Sequence, residues 1–511
     1  MKSIIKGKNE LFLYLIGTIL LAFSWCINEN IGYIFQSVVL IFFAVIGYFY
    51  IAYKKRNYFS LNALFLGIWI ATIGLSNMKL LSYQRPWSNY TWLLLGISFL
   101  VINISIEIGN NIKSKKIDKC LNWLDFSDTN NNYLFFVCSI FFLLSIFGFF
   151  MTVKICGFIP FFSTEYNSYA SFYTKFLLLS HFSIINIPIS YYCFYNENNK
   201  LKKLLLIIFI IVQTFIIPIL SVNRGIFLIG ALLLTCMIYY LGKQSFIKLL
   251  ICLMVSFAGY ELGSIGRHYT NEMLNASFQQ QTQTIEPETP QNSNDNIIPE
   301  SNDKQETSEN NSANNTQTTI SKEPNEYGEY VNTVSEHVYV VENVSNQVST
   351  IKTQLPSKLL FAYSYLTVSH DNFDLYVKYN DNMSFGLRQL SGFDFILKRI
   401  FPDYNSSFNY YQVQYNLNTS NILSTSFCDF NIIGCIIFAF IFGLLCGYIE
   451  NSCIRSNRIF DKLLLSIISY CVILSFFSNY TNQIIFIINI LSLIFISIIL
   501  NYKKIFNFFS H

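Results

Sequence analysis

The chain has 511 residues, of which 52% are hydrophobic and only 13% charged, about half the charge of an ordinary soluble protein. So few charges cannot cover a globule of this size, which excludes a single soluble domain and a wholly unfolded chain alike. A net charge of +4 with no basic stripe argues against a nucleic-acid partner.

A helix needs about 20 mostly apolar residues to cross a bilayer. Twelve stretches meet that length roughly: 11–27, 32–53, 60–77, 91–109, 132–156, 174–195, 203–222, 225–241, 245–265, 430–449, 462–479 and 482–501. The first reads as a retained span, because its flank, WCINEN, has no small-x-small cleavage site and a second span follows at once. Lysine and arginine alternate between successive short loops. One set holds Lys2, Lys6, Lys8, then Lys54, Lys55, Arg56, then Lys113, Lys115, Lys116, Lys119, then Lys200, Lys202, Lys203, then Lys243 and Lys248. Arg455, Arg458 and Lys462, and finally Lys503 and Lys504, continue it. The intervening loops carry at most Lys79 with Arg85, or Arg224 alone. The positive-inside rule puts the first set in the cytoplasm. The expected fold class is an all-α polytopic membrane protein of about 12 helices, with both termini inside. Spans 1–9 fill 1–266, an external loop covers 267–429, and spans 10–12 fill 430–511.

The external loop divides by composition. Residues 275–328 are polar, acidic and nearly free of aromatics, so they cannot bury enough apolar area to offset the entropy of ordering, and they read as a disordered insert. Residues 355–429 mix apolar, aromatic and charged side chains and read as an ordered segment at the membrane face, with 357–379 an amphipathic helix lying on it. The 12 cysteines form no CxxC and no Cys/His set with zinc spacing. Cys138, Cys236, Cys252, Cys435, Cys446 and Cys471 sit in apolar runs and read as buried small hydrophobes.

Charges inside spans are costly, and Glu107, Lys154, Glu261 and Asp429 lie in or at the ends of spans. Glu107 is the deepest in sequence; its ordinary explanation is a place near solvent and Lys113. Arg224 opens a span in SVNRGIFLIG, where helix N–H groups and a guanidinium fork would favour an anion. The alternative is an arginine snorkelling at the interface. Arg267 in LGSIGRHYTNE has the same two readings, and Arg388 in SFGLRQLSG lies in the ordered external segment. Three arginines converging on one face would make a pyrophosphate site. In TVSHDNFDLY, His370 and Asp374 share a helix face at i,i+4, and His370, Asp371 or Asp374 is placed to act as a general base, or else to cap a helix or turn.

Taken together, SVNRGIFLIGALLLTCMIYYLGK, the aromatic FAYSYLTVSHDNFDLYVKY with its Asn-Phe pair, and YNLNTSNILSTSFCDFNIIGCIIFAFIFGLLCGYI resemble the oligosaccharide repeat-unit (O-antigen, Wzy-type) polymerases. GFIPFFSTEYNSY and GLSNMKLLSYQRPWS fit the same pattern. Asp429, Phe430 and Asn431 stand where that pattern has Asp-Phe-Gly, and the acidic insert is foreign to it. The resemblance implies a cytoplasmic-membrane glycosyltransferase that joins repeat units carried on undecaprenyl diphosphate at the outer face, for O-antigen, capsule or exopolysaccharide. It implies no cofactor and no metal. Arg224, Arg267 and Arg388 would hold the diphosphate, one of His370, Asp371 and Asp374 would take the acceptor proton, and Tyr363, Tyr365 and Tyr410 would stack on sugars. Membrane lipid, a flippase and a chain-length regulator are the implied partners. The rivals are a ligase-like transferase with the same donor and a multi-span transporter or flippase. The second fits less well, because nine spans precede the long loop and three follow it, without repeated halves.

Overall fold

The computed structural model describes residues 8–24, 30–81, 83–162, 175–242, 329–335, 338–343, 357–394, 408–414 and 417–509, with Phe172, Leu397 and Ile400. The expected span 245–265, Glu261, Arg267 and the insert 275–328 lie outside these residues. The helices run α1 Lys8–Ser24, α2 Asn30–Lys55, α3 Leu61–Asn77, α4 Asn89–Asn111, α5 Lys115–Leu124 and α6 Asn131–Cys156. Then come α7 Lys175–Phe182, α8 Asn186–Asn196, α9 Lys200–Leu220 and α10 Arg224–Leu241. After the long loop follow α11 Ser357–Tyr379, α12 Ser424–Ser456, α13 Ile459–Ile473 and α14 Ile484–Phe509. Eight of the described helical stretches are long and apolar enough to cross a membrane, α7 and α8 counting as one over Phe176–Asn196, and α1 and α3 are shorter apolar helices. This fits a multi-pass membrane protein. The all-α expectation needs one addition, a small sheet outside the bundle: β1 Glu329–Ser335 and β2 Val338–Asn343 pair antiparallel, and β2 pairs parallel with β3 Tyr410–Gln412.

The bundle has two chemically distinct ends. At the lysine-rich end, Lys54 pairs with Glu10 and Lys55 reaches Glu107 at 2.9 Å. The partner of Glu107 is thus Lys55, not Lys113, with Tyr14 also donating to it. At the same end Arg458 bridges Asp461 at 2.8 Å and the Asp118 carbonyl at 2.9 Å, tying α5 to the α12–α13 turn. The described cysteines of the apolar runs, Cys138, Cys236, Cys435, Cys446 and Cys471, are buried thiols, as expected.

Helices α4 and α12 approach each other closely. A Cβ built on Gly447 would lie 2.0 Å from the Ile106 carbonyl oxygen, and one on Gly443 would lie 2.6 Å from that of Ile102. The four-residue spacing puts both glycines on one face, and their missing side chains let the two backbones touch, as small-xxx-small seams do in membranes.

α11 departs from expectation. The span 357–379 is a helix, but it does not lie on a surface: every side chain from Thr367 to Tyr376 is buried. It is inserted between the α3–α4 connection and the segment 413–427, at the end of the bundle opposite the lysines. A polar helix is tolerated there because its polar groups find partners on neighbouring segments, as His370, Asp371 and Asn372 do, or on α11 itself, as Ser364 and Thr367 do.

Candidate functional site

The run His370–Asp374 is the joint between the bundle and everything stacked on that end. His370 contacts Thr72 Oγ1 of α3 at 3.1 Å and Asn421 Nδ2 at 3.3 Å, edge-on to Trp69. Asp371 accepts from Trp87 Nε1 at 2.8 Å, Gln84 Nε2 at 2.9 Å and Lys79 Nζ at 3.1 Å. Asn372 donates to the carbonyls of Leu417 and Thr419 and accepts from Val413 N. Asp374 caps the start of α4 by accepting from Ser88 N and Thr91 Oγ1, both at 2.7 Å, and pairs with Lys378 at 2.9 Å. Burial pushes the His370 imidazole down to about 3, with Lys79 adding to the effect, so it is neutral. Burial would raise the Asp374 carboxyl, but Lys378, Thr91, Ser88 and Arg85 outweigh it and hold the group below its ordinary value. Burial lowers Lys79, and Asp371 partly opposes that.

Beyond this joint lies a pocket of about 160 Å³. Its wall is Tyr376, Arg388, Phe408 and Tyr410 on one side, and hydroxyl and amide side chains, among them Asn418, Ser424, Thr425, Asn479 and Asn482, on the other. Arg388 is its cation. The guanidinium carbon stands 5.0 Å from the Phe408 ring centroid, 5.3 Å from Tyr376 and 5.8 Å from Tyr410, and Nη2 donates to the Asn409 carbonyl at 2.6 Å. Three rings pack around the cation, which forms part of the pocket wall.

The backbone that carries Arg388 is held by Asp429. Its buried carboxylate accepts from Arg388 N at 3.0 Å and Gln389 N at 2.9 Å. Gln389 Oε1 in turn accepts from Thr425 Oγ1 at 3.0 Å and Asn479 Nδ2 at 3.2 Å. Just after Asp429 the helix breaks: Phe430 has φ −145°, and Asn431 has φ +49° with ψ −138°. Residues 424–429 therefore fold back beside the start of the long helix, so closely that a Cβ on Gly434 would stand 2.0 Å from the Ser426 carbonyl oxygen. Asn431 thus occupies a backbone region that glycine enters freely and asparagine tolerates better than most residues.

The expected site residues separate into three groups. Arg388 and Tyr410 meet at the pocket. His370, Asp371 and Asp374 do not line it; they are spent on α3, α4 and the 413–421 segment. Tyr363 donates to the Leu75 carbonyl at 2.8 Å, and Tyr365 stacks on Phe477 at 6.0 Å, so both serve helix packing. Arg224 starts α10, behind Asn223 as cap, with its guanidinium 5.7 Å from the Phe361 ring. Phe361 and Tyr376 are 15 residues apart on α11, about 22 Å at the α-helical rise. Arg224 and Arg388 therefore sit toward opposite ends of α11 and do not converge. Sequence reasoning missed Tyr376, Phe408, Asn372, Asn479 and Asn482. The available signal was SNYTNQ: α13 ends at Ile473, not 479, and the polar turn 474–483 reaches into the pocket wall. Among the described residues no His/Cys/Asp/Glu group is arranged to hold a metal ion.

No protein-family model matches the chain, and searches of curated proteins and of solved structures give no match either.

Proposed function

We propose that the protein is a polysaccharide polymerase of the cytoplasmic membrane, joining oligosaccharide repeat units carried on undecaprenyl diphosphate at the outer face. The observation that carries this reading is the pocket itself: one ring-caged arginine facing a wall of hydroxyls and amides, on the end of the bundle away from the lysines. An anionic leaving group and a sugar ring need those two surfaces side by side. Asn431 adds support, since its positive φ explains a glycine at that place in the Asp-Phe-Gly pattern that the sequence resembles.

The reaction breaks the bond between the donor sugar's anomeric carbon and the diphosphate oxygen, which leaves with the electron pair. A new bond forms from that carbon to an acceptor hydroxyl oxygen, whose proton passes to the departing diphosphate oxygen. Arg388 stabilises the charge gathering on the leaving diphosphate. Asn418, Asn479 and Asn482 orient sugar hydroxyls, and Tyr410 offers a ring face. The described pocket wall offers no carboxylate or imidazole, so assistance falls on the leaving group, and His370, Asp371 and Asp374 act as positioning residues. The test is deletion of the gene in its own cell. Loss of long polymer with accumulation of single lipid-linked repeat units, restored by the wild-type chain but not by Arg388→Gln, is expected. Unchanged polymer length in the deletion strain contradicts the proposal.

A further inference from the structure

The loop that carries Arg388 has a second face. Met383, Phe385, Leu387 and Leu390 are all exposed, and Phe385 is 73% exposed, the highest value for an aromatic near the pocket. The polar groups between them are occupied inward: Ser384 N donates to the Cys428 carbonyl at 3.0 Å, Phe385 N to that of Asp429 at 3.2 Å, and Arg388 N and Gln389 N to the Asp429 carboxylate. The loop is thus amphipathic by construction. Its backbone is clamped to the break in α12, and its apolar side chains are turned away from the protein. Phe385 adopts φ +48°, a conformation a bulky residue holds only when its surroundings enforce it.

Depth decides what covers these side chains. The uncharged run of α12 from Ile432 to Ile449 is 18 residues, or about 27 Å at 1.5 Å per residue. That nearly equals the ~30 Å hydrocarbon thickness of a bilayer. With its lower end at Glu450, its upper end falls at the boundary of the opposite leaflet, and Phe430 lies one step beyond Asn431. The Phe385 ring meets the Phe430 ring edge-on at 6.2 Å, so the loop stands at that same level. Below it, Ile433, Ile437, Phe440, Ile441 and Leu445 form the exposed apolar face of α12, and the exposed Phe430 and Phe385 rings extend that face to the loop.

We propose that residues 383–393 form a wedge inserted among the acyl chains of the pocket-side leaflet, which sets Arg388 and the pocket at the hydrocarbon–headgroup boundary. Irregular backbone is admissible at this depth because its donors are bonded to the α12 break and its other side lines a polar cavity. The inference rests on the membrane-spanning reading of α12 and is independent of whether the pocket makes polysaccharide.

The experiment uses the full chain in nanodiscs of phosphatidylethanolamine and phosphatidylglycerol, with a photoactivatable benzoylphenylalanine replacing Phe385 or, separately, Leu390. Leu445 serves as the lipid-facing reference and Asp381 as the solvent-facing one. After irradiation, mass spectrometry reads acyl-chain adducts. Adducts at Phe385 or Leu390 with a yield within about twofold of Leu445 are expected. Yields at both positions no higher than at Asp381 overturn the proposal. Covalent protein dimers in place of lipid adducts overturn it too, since the apolar face would then belong to a second copy.

Discussion

In the proposed reaction Arg388 is the residue on which the chemistry turns, and the forked guanidinium is what its setting uses. Lysine keeps the charge but loses the bond to the Asn409 carbonyl and the planar contact with three rings. Arg388→Lys and Arg388→Gln should both lower polymer synthesis by about 10²–10³, which corresponds to roughly 3–4 kcal/mol of lost transition-state stabilisation. Arg224→Lys should retain most activity, because Arg224 is at the other end of α11. Polymer length distributions from variants at matched membrane levels check both, and full activity in Arg388→Lys would reduce Arg388 to a packing residue. His370 gives a pH signature instead. Its folded value near 3 lies below the ordinary 6.5, so below pH 6.5 the unfolded chain binds a proton that the folded chain refuses. Stability from this group is full above 6.5 and declines by about 1.4 kcal/mol per pH unit as pH falls toward 3. The Asp374 contribution is lost only at lower pH, below the ordinary carboxylate value. The melting temperature in detergent should therefore drop between pH 6.5 and 4.5, and His370→Gln should flatten that slope even if it melts lower throughout. An equally steep slope in the variant would mean that other groups govern the acid sensitivity.

Two elements hold the site in place, the α4–α12 seam and the break in α12. At the seam, Gly447→Val would put methyl groups where the Ile106 carbonyl already is, and backbone cannot move aside as a side chain can. The cost should reach the upper end of overpacking, about 3 kcal/mol or more, read as a lower melting temperature with loss of folded yield. At the break, Asn431→Gly should be neutral or stabilising by about 0.5–1 kcal/mol, because it relieves a positive φ. Asn431→Val should be strongly destabilising, and equal melting of the two variants would contradict the geometry. These elements also show what could be read from the sequence. The apolar helices were legible because length and apolarity alone define them; every expected span within the described residues has a helix over at least part of it, and eight of the described helical stretches are long and apolar enough to cross a membrane. The GxxxG spacing of Gly443 and Gly447 in GLLCG was equally visible. The turn 474–483 was hidden by Leu474, Phe476 and Phe477, which prolong the apolar run past the true end of α13. The surroundings of His370 were hidden for another reason. Helix spacing shows which residues share a face but not that Trp87 or Thr72, some 280 to 300 positions away, will meet it.

At the scale of the molecule, the chain has a charged end where Lys55, Glu107, Arg458 and Asp461 neutralise one another, and a pocket end capped by α11. By the positive-inside rule the loop charges would put the first end in the cytoplasm. Cysteine labels at positions 54, 115 and 202 should react only from that side and labels at 300 only from the other; reaction at 300 from the cytoplasm would invert the assignment of the pocket to the outer face. Deleting 278–325 should leave polymer formation intact, since loop closure depends only weakly on length and the segment carries none of the pocket residues. Loss of polymer in a deletion variant that still accumulates would give the insert a function. The central claim is that the pocket transfers lipid-linked glycans, and reconstitution tests it most directly. The purified chain is placed in liposomes with an undecaprenyl-diphosphate-linked oligosaccharide repeat unit from its own cell, and products are resolved by length while undecaprenyl diphosphate is quantified. The account predicts a ladder of integral repeat multiples, one diphosphate carrier released per added unit, and neither product with Arg388→Gln. A folded wild-type chain that leaves the repeat units unjoined, or a ladder unchanged by Arg388→Gln, would contradict it.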